Sequence, residues 1–320
     1  MPKLGKPTRV LLAALALAGA AGAADTERGT VIREATMYVY PDVTSQKVGT
    51  ATRGRDIPLI SERSTIGGKA WARVLATVDT SLEEPREISG WIESRSLITT
   101  ATPNADQIIY GEAVDSERQA EQRGGRRHAA EDAMRLYYRL YEYFPNSPLA
   151  GEGLYRAADI RWQIDKADVM SRPSAREKEA YLREGMNEDS MRLVIKKFPG
   201  TKWADLAAFH LIENKLCGDW QASSKCPLKE AEMYEKYAEE HPHSPTVAEA
   251  LYNAAWRLSA LIEIYKTENQ PKKSEESKAK ALALAQKVST QFPQSDWGAR
   301  AERLVFLIVQ GVPTYGNAQP

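Results

Sequence analysis

Histidine and cysteine are scarce in this chain, with four and two copies in 320 residues. Together with the motifs it lacks, that scarcity removes most catalytic chemistries. There is no His-Glu-x-x-His, no Gly-x-Ser-x-Gly, no glycine-rich phosphate loop and no cysteine beside a histidine. Few general bases are left, and two cysteines supply only half a zinc site. The adjacent acids Glu83-Glu84, Glu188-Asp189 and Glu275-Glu276 read as solvated faces, since a glycosidase needs two carboxyls held across a cleft. Charge is also missing: 43 basic residues balance 43 acidic ones, so no basic surplus calls for nucleic acid. The reading is a protein that is no enzyme, with no catalytic residue, metal or cofactor assigned.

A leader is present. Lys3, Lys6 and Arg9 precede an apolar run from Val10 to Gly22, followed by small residues and then Asp25. This is the pattern of a signal peptide over residues 1–24, too short to span a bilayer. Removing it takes three basic residues and no acidic one, leaving a formal charge of −3. No cysteine stands at the cleavage point, so the expectation is a periplasmic or extracellular protein without a lipid anchor. In that setting Cys217 and Cys226, separated by a polar stretch, read most simply as a disulfide.

From Thr30 to Ile98 short β-branched and aromatic runs alternate with turn formers: Val31-Ile32, Met37 to Tyr40, Ile57 to Ile60, Trp71 to Leu75 and Gly90 to Ile92. Five short strands suggest a small barrel. The order Met37-Tyr38-Val39-Tyr40-Pro41, Val48-Gly49-Thr50, Gly54, Trp71-Ala72-Arg73-Val74, Gly90-Trp91-Ile92-Glu93 and Leu97 resembles a bacterial SH3-type domain. It departs from that pattern at Tyr38-Val39-Tyr40 and in an acidic loop from Thr77 to Ser89. The resemblance implies an SH3-like β-barrel over 28–100, binding peptidoglycan or a peptide. Val39 and Trp91 are expected in its core; Tyr38, Tyr40 and Trp71 are its groove candidates.

Residues 101–128 read as a linker or a first, poorly packed helix. Beyond His128 the apolar period lengthens, with Ala130, Ala133, Met134, Tyr137, Leu140, Tyr141 and Phe144 on one helical face. The same punctuation then occurs four times: Phe144-Pro145-Asn146-Ser147, Phe198-Pro199-Gly200-Thr201, His241-Pro242-His243-Ser244 and Phe292-Pro293-Gln294-Ser295. The aromatic closes an apolar face, proline stops the helix, and the hydroxyl residue is placed to cap the next one. Pro148 and Pro245 would take the first helical position. Small pairs such as Ala157-Ala158 and Ala254-Ala255 let the following helix pack closely. Each interval exceeds the roughly 34 residues of a standard tetratricopeptide unit; the surplus is expected in loops at Asp165 to Ser174, around the cysteines and at Glu268 to Ser277, leaving Ser277 exposed. His241 and His243, preceded by two glutamates, form the best metal candidate, but His241 stands where the sister copies carry Phe and reads better as a packing residue.

This pattern resembles the divergent repeats of envelope proteins such as the outer-membrane assembly lipoprotein BamD and the Tol-Pal-associated cell-division coordinator. It implies a tetratricopeptide-like helical solenoid over 129–312 and a flexible tail over 313–320. The expected class is therefore multidomain β + α. The inner groove of such an array commonly takes a partner segment, and Tyr138, Arg161 and Tyr234 are its candidate contacts. The functional expectation is an adaptor of the cell envelope that binds a protein partner, with peptidoglycan as a further ligand. A self-associating structural repeat protein and a cell-wall hydrolase are the rival readings.

Overall fold

The computed structural model describes residues 27–78 and 86–315. The expected leader, most of the acidic loop and the last five residues lie outside them. Seven strands open the chain: β1 (Arg28–Val31), β2 (Ala35–Tyr38), β3 (Lys47–Ala51), β4 (Asp56–Ile66), β5 (Lys69–Val78), β6 (Arg86–Glu93) and β7 (Leu97–Ile98). They do not make the expected small SH3-like barrel. They form one antiparallel sheet of order β3-β2-β6-β5-β4-β1-β7, curled into half a barrel with β3 and β7 at its unjoined ends. The long β4-β5 hairpin extends the sheet, and slips in register between Leu59 and Arg63 and at Met37/Tyr38 bend it. Curling brings Val31, Met37, Ile57, Leu59, Val74 and Ile92 together on the concave face. A peptidoglycan-binding role that rested on the barrel loses its basis.

The phase of the alternation also differs from expectation. Ile92 points into this core, so Trp91 is half-buried on the other face, opposite Tyr38 in the ladder, while Val39, in phase with the buried Met37, lies past the end of its strand and is 38% exposed. β2 ends at Tyr38, which is why alternation counted through Val39 fails.

Nine helices follow among the described residues: α1 (Ala105–Glu121), α2 (Ala129–Tyr143), α3 (Ala150–Ser171), α4 (Asp189–Lys197), α5 (Lys202–Glu213), α6 (Lys225–Glu240), α7 (Val247–Thr267), α8 (Pro271–Gln291) and α9 (Asp296–Val309). The stretch read as a linker carries α1, whose Ile109 and Ala113 are fully buried against α2 together with Ile32 and Ile98 of the strand region. The sheet is tied down there. The Arg135 Nε donates to the Arg53 carbonyl at 3.1 Å, Arg33 pairs with Glu112 at 3.0 Å, and the Tyr143 hydroxyl bonds Asp56. Gly54 makes the approach possible. Its φ is +75°, and a β-carbon there would lie 2.5 Å from that of Arg135.

The four junctions are four copies of one backbone turn. Phe144, Phe198, His241 and Phe292 share φ near −128° and ψ near +55° (−131/59, −128/52, −127/56 and −128/47), and each N–H reaches the carbonyl four residues back at 2.9 Å. Capping divides them into two kinds. Thr201 and Ser295 are true N-caps, accepting from the N–H groups of Ala204 at 3.4 Å and Gly298 at 3.0 Å. Where proline follows, at Pro148 and Pro245, the chain makes a further turn before α3 and α7. The backbone N–H groups that Ser147 and Ser244 then accept from are those of Leu149 and Thr246, both at 3.2 Å, and neither proline occupies the first helical position. His241 packs its ring 4.7 Å from Tyr237 and places Nδ1 2.7 Å from Asp205.

The surplus length lies mainly in helices. α3, α7 and α8 run 22, 21 and 21 residues, so most of Asp165 to Ser174 and of Glu268 to Ser277 is helical, and Ser277 is buried. Irregular stretches remain between α3 and α4, with two short 3-10 turns, and between α5 and α6, in the expected loop around the cysteines. Cys217 and Cys226 stand at disulfide distance, Cα atoms 6.1 Å apart. The loop they close seats Trp220 between Trp256 and Tyr315, with ring centroids 5.2 and 5.3 Å away. The start of the expected flexible tail is therefore docked: Tyr315 packs there, and the buried Thr314 hydroxyl meets Ser259 at 2.7 Å. Among the described residues no helix is long and apolar enough to cross a membrane.

Candidate functional site

The first repeat and the start of the second enclose a cleft of about 200 Å³. Its floor is apolar, built from Met134 of α2, Leu154, Ala157 and Ala158 of α3, and Leu193 of α4. Its rim is cationic, carrying Arg135, Arg139 and Arg161, with Tyr138 among them. Helical geometry explains the layout. Leu136, Tyr137 and Leu140 of α2 face the core, which turns Arg135, Tyr138 and Arg139, adjacent at helical spacing, away from it. The alanines of α3 keep the floor shallow enough to stay open.

Each rim arginine has a carboxylate on its own helix: Arg135 with Asp132, Arg139 with Glu142, and Arg161 with Asp165 at 3.0 Å. Arg161 uses only its Nε in that bond, leaving both terminal nitrogens without a partner among the described residues, and its side chain is 50% exposed. Tyr138 is 37% exposed and tilts against Tyr141 with centroids 6.2 Å apart; Tyr141 in turn meets Phe198 edge-on at 6.0 Å. An aromatic row thus anchors Tyr138 from beneath.

Of the groove residues expected from sequence, Tyr138 and Arg161 share this cleft, whereas Tyr234 does not. Tyr234 is buried between α5 and α6, close to Phe209, with the Arg257 guanidinium 4.6 Å over its ring. Arg135 and Arg139 were not anticipated. Their signal was legible, because a basic pair four residues apart brackets Tyr138 on the face opposite the core residues.

The sheet candidates do not form a common groove. Trp71 is 2% exposed, and its indole N–H finds no partner among the described residues. Tyr38 covers it edge-on at 5.9 Å. Tyr40 lies beyond β2, in a turn where its N–H donates to Ser45 at 3.1 Å. A polar cavity of about 490 Å³ opens elsewhere, lined by Thr50 and Thr52, Arg55 and Asp56, and Thr77.

No His-Cys-carboxylate cluster gathers at His241 or His243 among the described residues. The one group of metal-ligand type there is Glu179 with Cys217 and Cys226, whose sulfurs are engaged with each other. Buried titratable groups behave as packing demands. Burial lowers the pKa of His210, which lies between Tyr155 and Trp162, and pushes the Tyr143 hydroxyl up to about 12. Neither group borders the cleft. Comparison with known proteins finds no matching family model and no matching curated protein.

Proposed function

We propose that the chain is a non-enzymatic binding protein of the cell envelope, exported by its leader, and that the first-repeat cleft is where it holds a protein partner. The observation that carries this is the cleft itself. Three consecutive helices leave open an apolar floor, with a half-exposed tyrosine and cationic side chains converging on it. Buried aromatic and arginine anchors are the residue types that dominate protein recognition. The repeat array supplies the rigid frame, and the curled sheet, fastened to α1 and α2, braces the helices that form the cleft.

Panning random displayed peptides against the mature protein tests the binding role. Enriched sequences should lose binding to Tyr138→Ala and keep it to Phe306→Ala, a change at an exposed site on α9, remote in sequence from the cleft helices. Enrichment indifferent to Tyr138→Ala would remove the cleft from the proposal. Fusing the leader to a reporter active only after export tests the compartment, and a silent reporter would refute it.

A further inference from the structure

The arginines of the first cleft are not required by the repeat architecture. Counting from the junction residues Phe144 and His241, Tyr138 and Glu235 occupy the same place, as do Leu154 and Leu251. Counting from Phe198 and Phe292, Leu193 corresponds to Lys287. These are lining residues of a second cleft, formed by α6, α7 and α8, so both clefts are built at the same register of the repeat. Their chemistry differs. Arg135 has Glu232 as its counterpart and Arg161 has Leu258, while the basic counterpart of Arg139, Lys236, does not line the second cleft. The first cleft presents three arginines; the second presents Glu235, Glu239 and Lys287. Glu235 is answered by Lys280 at 2.8 Å, while Glu239 lies exposed.

We propose that the occupant of the first cleft is an extended protein segment in which acidic side chains flank an apolar one. This rests on the cleft being the protein-binding site. The apolar side chain would fill the floor between Met134, Leu154 and Leu193, and its flanking carboxylates would reach Arg139 and the unused terminal nitrogens of Arg161. The guanidinium fork matches a carboxylate in geometry as well as charge. The exposed Glu239 repels the same segment from the equivalent cleft, so complementary charge selects one of two similar seats.

The test uses full-length mature protein and fluorescein-labelled nine-residue peptides, acetylated and amidated at their ends. Each has a central leucine flanked by aspartates, by asparagines or by lysines. The aspartate peptide should bind at least about tenfold more tightly than the lysine peptide, with an advantage that shrinks as salt rises from roughly 50 to 300 mM. Arg161→Glu and Arg139→Glu should each erase the preference, Arg161→Gln should reduce it, and Glu239→Lys, which relieves the repulsion in the other cleft, should not lower it. Equal binding of all three peptides, abolished by Tyr138→Ala, would overturn the acidic preference and leave the cleft as a binding site. No binding by any peptide would overturn it too. In that last case the displayed-peptide selection still decides separately whether the cleft binds protein.

Discussion

The buried pair of Glu230 and Arg257 offers the sharpest test of how the third repeat is held together. Glu230 is 2% and Arg257 9% exposed at the side chain, and their Oε2 and Nε atoms lie 2.7 Å apart. The other oxygen of Glu230 accepts from the N–H of Cys217 at 2.8 Å and the indole of Trp220 at 3.2 Å, so the carboxylate also anchors the cysteine loop. Replacing Glu230 with leucine leaves a buried guanidinium. Its remaining support is two 3.2 Å contacts to Asn253 and the ring faces of Tyr234 and Trp256. Replacing Arg257 with leucine leaves a buried carboxylate with two neutral donors. Removing one member of a buried pair costs about 3–5 kcal/mol, and the residual contacts place each single variant near the lower end, at about 3 kcal/mol. The double variant removes both stranded charges and should cost less than the sum by about 2 kcal/mol or more. Urea unfolding of the four proteins, followed by far-UV circular dichroism, closes the cycle. Strict additivity, or single variants costing under about 1 kcal/mol, would refute the idea that charge stranding dominates this site.

Gly54→Ala should destabilise the sheet-helix contact by about 1–3 kcal/mol, whereas Gly67→Ala, also at positive φ but with open space around it, should cost only the conformational part; equal unfolding midpoints for the two would deny the close approach to Arg135. Ser295→Ala removes a true N-cap and should cost about 1 kcal/mol of α9 stability, read as faster amide exchange in its first turn, and unchanged exchange there would contradict the capping geometry. Burial depresses the His210 pKa below its ordinary 6.5, against the opposing charges of Asp159 and Glu213 and with the help of Lys166. The unfolded chain therefore takes up that proton first, and the stability carried by neutral His210 is complete above pH 6.5 and drains as pH falls through the folded-state value. His210→Gln should flatten the stability slope below that pH, and identical slopes would count against the assignment. Reducing Cys217–Cys226 should cost roughly 2–3 kcal/mol and loosen the Trp220 loop, which tryptophan emission would report; no change in emission or midpoint would show that Glu230 alone holds the loop.

The junctions were readable from sequence because their chemistry is local. An aromatic, a proline and a hydroxyl residue within four positions specify a helix end whatever surrounds it, and all four produced the same turn. Tyr138 and Arg161 were readable for a related reason: they lie off the core stripe of their helices. Tyr234 looked the same but is buried by Phe209 and Arg257, which approach from other helices. Trp91 was misplaced because strand alternation carries no absolute phase, and Val39 because β2 ends at Tyr38, one residue before it.

The sequence by itself determined the division into strands and then helices, the repeated helix stops and the pairing of two cysteines, since each depends on neighbours along the chain. Tertiary structure alone decided that the strands curl into an open half-barrel, that α1 is a packed helix, and that Arg135, Arg139 and Arg161 converge on one apolar floor. These outcomes depend on register slips, on a glycine that lets two backbones meet, and on side chains more than twenty residues apart in sequence, none of which a local pattern encodes.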